Sequence, residues 1–220
     1  MKLDGLHHIT MITGDAQRNV DFYADLLGLR LVKTTVNFDA PEAYHLYFGD
    51  EIGSPGSILT WFEFAGAARG RAGAGMIHTI ELGVRAVGAI EFWEARLSQA
   101  GVQCERGDGT LRFSDYDGLA FELVMASSDN PPLAADHPDV PAEHALIGPQ
   151  GARAYAREPG GAAPLLTTTL GFEAAGNGAY RLSGEHRHFD WVYDEPPAEQ
   201  SDSSTDALVR KYRAERGRAS

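Results

Sequence analysis

The chain has 220 residues, of which 43% are apolar, and a formal net charge of −12 at pH 7. We expect a globular protein that crosses no membrane and carries no signal peptide, because no apolar run is long enough and the amino terminus MKLDGLHHIT is not basic-then-apolar. A cytoplasmic protein is therefore expected, and the negative net charge, with no cluster of Lys and Arg before the last dozen residues, argues against nucleic acid and anionic lipid as partners.

Residues 1–70 predict a first β-α-β-β-β module. Val20, Tyr23 and Leu27 recur at helical spacing, which predicts a helix over Ala16–Leu27 that Gly28 ends. Strands are expected around that helix, over Leu6–Ile12, Leu29–Val36, Ala43–Phe48 and Ser57–Phe64.

Residues 71–127 predict a second copy of the same module. Tyr23 aligns with Trp93 at an offset of 70 positions, within the matching runs DFY and EFW, and the same offset carries His8 onto His78. The elements of this copy are expected over Met76–Val84, Ala86–Ala100, Thr110–Ser114 and Leu119–Met125.

The rest of the chain predicts a linker at residues 128–150, a partial third module at 151–195 and a polar tail at 196–220. The third module would have its helix at Gly160–Leu170. The predicted fold class is α+β, with repeated βαβββ modules whose mixed sheets close into cups.

The repeat predicts a metal site. His8 and His78 would face each other in a cup, and strand alternation points Glu122 into the same cup, away from its apolar neighbours. A cation would offset the cost of burying that carboxylate, and the single Cys104 offers no thiolate cluster. Two histidines and one carboxylate suit Fe(II) or Mn(II), and the same ligands suit Zn(II).

Two further groups are candidates for the chemistry. His45 and Tyr47 share a strand face and could reach a bound substrate, His45 as base and Tyr47 as hydrogen-bond donor, although packing explains them equally well. Glu63 could be a fourth metal ligand or an exposed carboxylate at a sheet edge.

The segments LHHITMITGDAQRNVDFYADLLGLRLVK, AYHLYFGDEIGSPGSILTWF and DYDGLAFELV resemble the vicinal oxygen chelate superfamily, which includes glyoxalase, bleomycin resistance and extradiol dioxygenase proteins. The resemblance is closest to ring-cleaving dioxygenases acting on hydroquinones and catechols. It implies an Fe(II) enzyme that chelates vicinal oxygens of a small aromatic substrate and uses dioxygen. It also implies His8 as the first-strand ligand, with His78 and Glu122 as the ligands found in two-module relatives.

The chain departs from those dioxygenases in one respect. They have a fourth module that supplies metal ligands, and this sequence shows no fourth copy, so either His78 and Glu122 rebuild the site or only His8 survives from it. An unpaired module face favours a homodimer. The alternatives are a glyoxalase-type lyase or isomerase that uses Glu63 and prefers Ni(II), Co(II) or Zn(II), a metal-free binder of small aromatics, and a truncated inactive relative.

Overall fold

The computed structural model describes residues 3–37, 40–67, 69–126, 133–185 and 187–197. The first βαβββ module begins with strand β1 and helix α1, which continues without a break as a π-helical turn. Three strands follow. The bounds are β1 His8–Thr13, α1 Ala16–Val20, the π-helical turn Asp21–Leu26, β2 Arg30–Asn37, β3 Ala40–Gly49 and β4 Ile58–Glu63.

Two more modules with the same order of elements follow. The second consists of β5 Ile77–Val84, α2 Ala89–Gln99, β6 Cys104–Arg106, β7 Leu111–Ser114 and β8 Ala120–Met125. After a 3-10 turn at Ala142–His144, the third consists of β9 Ile147–Tyr155, a π-helical turn Leu165–Thr169, β10 Glu173–Gly176, β11 Ala179–Ser183 and β12 His188–Asp194.

The strands form two mixed sheets. The first module makes a four-stranded sheet in the order β1-β4-β3-β2, and the other two modules share an eight-stranded sheet in the order β10-β11-β12-β9-β5-β8-β7-β6. The second and third modules are joined by their first strands, because β5 pairs antiparallel with β9. The predicted α+β fold of repeated βαβββ modules is therefore confirmed.

Several boundaries differ from the sequence prediction. Strands β6 and β10 were not predicted, and β9 begins at Ile147, inside the segment predicted as linker. The third helix is short, since two glycines and Pro164 precede it and disfavour helix in that stretch. Residues 198–220 of the predicted tail lie outside the described residues. No helix in the described parts of the chain is long and apolar enough to cross a membrane.

Local sequence fixes both ends of the first helix. The Asp15 side chain accepts a hydrogen bond from the backbone N–H of Arg18 at 3.0 Å, which satisfies an otherwise unpaired donor in the first turn. Gly28 follows the helix with φ of 71°, a conformation that favours glycine, so the predicted helix end is confirmed.

Both sheets and both long helices contribute to one apolar core. Tyr23 is fully buried at its centre, with its ring 3.9 Å from that of Trp61 in the first sheet and 5.9 Å from that of Phe121 in the second. Its hydroxyl donates a hydrogen bond of 2.7 Å to the buried Asp115 carboxylate. Burial raises the pKa of Asp115. This residue pair ties the first module to the second.

The Tyr23→Phe substitution tests that connection. We expect the free energy of unfolding to fall by about 1–3 kcal/mol, because one oxygen of a buried carboxylate loses its partner while the packing volume stays nearly the same. Urea unfolding followed by circular dichroism measures the change. Tyr44→Phe is the control, since Tyr44 is half exposed. Equal stabilities for the two variants would contradict the expectation.

Candidate active site

One face of the first sheet carries three of the predicted site residues. Ile9, Leu59 and Trp61 point into the core. The alternate side chains point the other way and form a surface that we call the first cup: His8, Thr10 and Ile12 on β1, Thr60 and Phe62 on β4, and His45 and Tyr47 on β3. One predicted metal ligand and both predicted catalytic residues therefore lie on the same face.

A chain of hydrogen bonds crosses the first cup. The Thr60 hydroxyl donates to Thr10 at 3.0 Å, so its oxygen is free to accept from Nε2–H of His45 at 3.1 Å. Nδ1 of His45 is then unprotonated and accepts from the Tyr47 hydroxyl at 3.0 Å. The four groups form a directional path for a proton between β3 and β1.

His45 is held in its neutral form. Burial lowers the pKa of His45, and the positive charge of Lys33 lowers it further. The Lys33 ammonium lies 5.3 Å from the centre of the Tyr47 ring. A neutral imidazole with an unprotonated nitrogen is the form that accepts a proton, which is the role predicted for His45.

His8 lies exposed at the rim of the first cup. Its Nδ1 is 3.0 Å from Nδ1 of His7, and the two rings meet edge to face. Burial lowers the pKa of His8, and the neighbouring His7 lowers it further. The neutral imidazole is the form that binds a metal.

The corresponding face of the second sheet, which we call the second cup, is filled with ion pairs. Glu122 lies beside Glu81 on the adjacent strand and forms an ion pair with Arg112 at 3.1 Å. As expected from alternation, the residues on either side of Glu122 in the sequence lie in the core, whereas the Glu122 side chain does not. On the other side of the β5–β9 junction, Asp190 forms an ion pair with Arg181 at 2.7 Å.

His78 lies near the start of β5, beside the end of β12, and its contacts continue the ion pairs of the second cup. Its Nε2 is 2.8 Å from Asp194, and its ring stacks on Tyr155 with 3.9 Å between centres. Arg153 also forms an ion pair with Asp194, at 2.6 Å. Burial alone would raise the pKa of Asp194, but hydrogen bonds from Arg153 and His78 lower it. Both hydrogen-bonding positions of His78 are thus engaged, since Nδ1 lies 2.9 Å from the Thr79 hydroxyl.

The structure does not bring His8, His78 and Glu122 together. His8 lies in the first cup, whereas the other two lie in the eight-stranded sheet, each paired with a different side chain. Within the described ranges of the chain, no cluster of three or more His, Cys, Asp or Glu side chains could hold a metal ion. The three residues form no preformed metal site because the second module pairs with the third rather than with the first.

The offset of 70 positions does not place His8 and His78 at equivalent positions of their strands. In β1 the odd-numbered Ile9 and Met11 face the core, whereas in β5 the even-numbered Ile80 and Leu82 do so. The offset of 70 positions therefore aligns the two helices, but because it is even it aligns core-facing positions of one strand with outward-facing positions of the other. The pairing of β5 with β9 is irregular between Ile77 and Thr79, on either side of His78. This local bulge interrupts the alternation of side chains between the two faces of the strand, on which the prediction for His78 depended.

Glu63 has a structural role. Its carboxylate accepts a hydrogen bond of 2.9 Å from the backbone N–H of Ala16, the first residue of α1. A carboxylate there satisfies an unpaired donor and interacts favourably with the positive end of the helix dipole. The possibility that Glu63 is a fourth metal ligand is not supported by this contact.

The first cup ends at an open strand edge. Within the described residues β1 pairs only with β4, and its other edge borders a cavity of about 570 Å³, which we call the junction cavity. β1 carries no charged side chain, and Ile12 is 42% exposed. Proteins usually protect such an edge with charge, proline or a covering element.

Two parts of this arrangement were missed at the sequence level. Thr60 lies between the core residues Leu59 and Trp61, and a polar residue at that position in an apolar strand could have indicated a cup-facing group. Glu81, a charged residue in the apolar strand β5, could likewise have indicated a cup-facing group. Its pairing with Glu122 could not be read from the sequence, because it depends on the register between β5 and β8.

Comparison with known proteins gives consistent matches. The Glyoxalase/Bleomycin resistance protein/Dioxygenase superfamily matches residues 5–123. The chain is 42% identical over 195 residues to MhqO of Bacillus subtilis strain 168, which is named as a ring-cleaving dioxygenase; the alignment covers 84% of this chain and 61% of MhqO. It is 39% identical over 155 residues to a chlorohydroquinone/hydroquinone 1,2-dioxygenase of Sphingobium indicum, covering 67% and 48% of the two chains.

A solved structure is similar over most of this chain. It is the crystal structure of a Bacillus subtilis protein that is named as a dioxygenase, with a TM-score of 0.79 and 38% identity, and the match covers 87% of this chain and 64% of that one. The chain therefore spans less than two thirds of the length of each of these relatives.

Proposed function

This chain belongs to the Glyoxalase/Bleomycin resistance protein/Dioxygenase superfamily, and we propose that it is a metal-dependent ring-cleaving dioxygenase for a hydroquinone- or catechol-type aromatic. The names of its relatives support this activity. The observation that carries the proposal is the first cup, where His8 lies on the same face as the Tyr47–His45–Thr60–Thr10 hydrogen-bond path.

The first cup provides one good metal ligand. His8 is an exposed, neutral imidazole, and we propose Fe(II) as its metal, with Mn(II), Zn(II) and Ni(II) as the alternatives that elemental analysis separates. Bound there, the metal would chelate the substrate oxygens and activate dioxygen. The described residues of one chain do not supply a full ligand set in this cup, so the site needs a second polypeptide surface against β1.

The hydrogen-bond path supplies a base. When a substrate hydroxyl gives its proton to the Tyr47 oxygen, the Tyr47 proton moves to Nδ1 of His45, which is unprotonated in the neutral state. The lowered pKa of His45 keeps that nitrogen available at neutral pH. Phe62, whose ring lies 3.7 Å from that of His45, would shield the pair from water.

We propose that the surface against β1 is a second copy of this chain. Inside the molecule, the first strands of the second and third modules already pair antiparallel, and β1 is the remaining first strand with an open edge in the described structure. An uncharged strand pairs readily with its own copy across a twofold axis. The second copy would bring its own His8 to the shared cup, which would give the metal a second imidazole ligand.

Ile12→Lys tests this arrangement. A charge on the exposed Ile12 should prevent strand pairing, so we expect a dimeric wild type and a monomeric variant by light scattering, with metal content lost together with the dimer. Ile52→Lys is the matched control, because Ile52 is 85% exposed in a turn distant in sequence from β1. A monomeric wild type that still holds metal would contradict the proposed dimer.

The activity itself is tested on the wild type. The protein is purified anaerobically, its metals are measured by elemental analysis, and oxygen consumption is followed with hydroquinones and catechols. We expect bound iron and oxygen uptake with one of these aromatics. A protein that holds no metal when purified or after Fe(II) is added, and consumes no oxygen, would contradict the proposal.

A further inference from the structure

Lys33 on strand β2 brings a positive charge to the first cup. It lies opposite Tyr47 in the pairing of β2 with β3, so both side chains are on the same face of the sheet. The Lys33 ammonium lies 5.3 Å from the centre of the Tyr47 ring, where a cation interacts favourably with the aromatic face. Lysine is also common on edge strands such as β2, where it protects the open edge, but this side chain lies over the Tyr47 ring. Its charge therefore belongs to the cup.

This charge is not balanced by the protein itself. The residues that define the first cup include no carboxylate, and within the described ranges Lys33 takes part in none of the ion pairs. In the second cup, by contrast, Arg112, Arg153 and Arg181 each pair with a carboxylate. Lys33 is exposed, so an anion from solution can approach it. A ligand can thus supply the negative group that the second cup takes from its own residues.

Lys33 lies at the end of a row of paired residues that crosses the first sheet. The other members of the row, one from each strand, are Thr10, Thr60 and Tyr47. The proposed proton path begins at the Tyr47 hydroxyl, on the ring that Lys33 covers. The strand that carries His8, β1, and the strand that carries Lys33 are the two edges of this sheet, so three strand spacings, or about 14 Å, separate their backbones. A ring bound to a metal at His8 would therefore point its opposite end toward Tyr47 and Lys33.

We propose that Lys33 binds the substrate oxygen that gives its proton to Tyr47 and holds that oxygen as an anion. The inference rests on the proposed function, because it uses the same cup and the same proton path. The substrate O–H bond breaks as its proton passes to the Tyr47 oxygen, and the Tyr47 proton passes to Nδ1 of His45. The substrate keeps the electron pair as a phenolate, which a nearby positive charge stabilises.

This role of Lys33 defines the substrate class more closely. The substrate is a phenol with an ionisable oxygen that is not bound to the metal. A hydroquinone bound to the metal through one oxygen meets this requirement, whereas a catechol with both oxygens on the metal does not. The first cup should therefore prefer an aromatic ring that carries an anionic oxygen at the end facing Lys33.

The probes 4-nitrophenol and 4-nitroanisole test this contact, because they have the same ring and only the phenol can ionise. Binding of each is measured anaerobically by calorimetry, at a pH where free 4-nitrophenol is ionised. We expect Lys33→Met to bind the nitrophenolate about tenfold more weakly than the wild type does, the lower value for a hydrogen bond to a charged group. Both proteins should bind 4-nitroanisole equally well. Lys33→Arg should keep most of the phenolate binding, and Arg106→Gln, which removes an exposed positive charge from the second module, is the control.

The absorbance of the nitrophenolate gives a second readout. The pKa of the bound phenol should lie about one unit lower in the wild type than in Lys33→Met, because the nearby ammonium favours the ionised form. A titration of the bound probe, followed at the phenolate absorption band, measures this difference.

The proposal is overturned if the wild type does not bind the nitrophenolate, or if folded Lys33→Met binds it as tightly as the wild type does. It is also overturned if Lys33→Met loses 4-nitroanisole to the same extent, since the effect would then not depend on charge. Binding is independent of oxygen uptake. A protein that binds the nitrophenolate through Lys33 but consumes no oxygen contradicts the proposed function alone, whereas oxygen uptake with unchanged phenolate binding in Lys33→Met contradicts this inference alone.

Discussion

Replacing His8 by alanine should remove bound iron and abolish oxygen consumption. His8 is the ligand that the first cup offers, and its exposed ring contributes little to packing, so the variant should fold normally. We expect activity to fall by more than about a hundredfold, because even loss of a residue that merely orients a metal ligand costs 10- to 100-fold. Elemental analysis and oxygen uptake on the same preparation give the result.

The matched variants distinguish the two possible ligand sets. His7→Ala removes the adjacent imidazole and should keep most of the metal. His78→Ala and Glu122→Ala should also keep it, because these side chains are paired with Asp194 and Arg112 rather than gathered at one metal. Loss of iron in both His78→Ala and Glu122→Ala would instead support the ligand set predicted from the sequence and contradict the one proposed from the structure.

The sequence predicts much of the fold because each module repeats the same local signals. Helical spacing and a terminal glycine locate the first helix, and the aligned aromatics Tyr23 and Trp93 locate the second. Both rings are fully buried, as core residues of equivalent helices should be. The short strands β6 and β10 were missed because they are only three and four residues long and carry few core residues.

The site is harder to predict because it depends on which modules pair. Alternation gives the correct side for Glu122, whereas His78 lies in an irregular stretch of β5 where strict alternation does not hold. It also cannot indicate that β5 pairs with β9, which separates Glu122 from His8. His45 and Tyr47 were found because they lie two residues apart on one strand. Their partners Thr60 and Thr10 come from two other strands and required the three-dimensional register.

The charged second cup shows why a conspicuous carboxylate need not be a ligand. Burial raises the pKa of Glu81, and Arg153 at 3.9 Å opposes that change. Glu122 forms an ion pair with Arg112. The cost of a buried carboxylate, which the sequence argument assigned to a metal, is met here by arginine. The residues that form the first cup include no carboxylate, and its imidazoles remain available.

Replacing His45 by glutamine should lower kcat by about 10²- to 10⁴-fold, the usual contribution of a general base. Tyr47→Phe should have a similar effect, because it removes the hydroxyl that passes the proton to His45. Tyr44→Phe, on the same strand but half exposed, is the control and should be active. Metal content should be unchanged in all three variants, which separates a proton-transfer role from metal binding.

The pH profile identifies the base. His45 must be neutral to accept a proton, so wild-type kcat should fall as the pH drops through its pKa. Because burial and the charge of Lys33 lower that pKa, the fall should occur below the ordinary histidine value of about 6.5. This acidic limb should be absent from the residual activity of His45→Gln. If the limb persists unchanged in that variant, another group is the base and the proposed proton path is wrong.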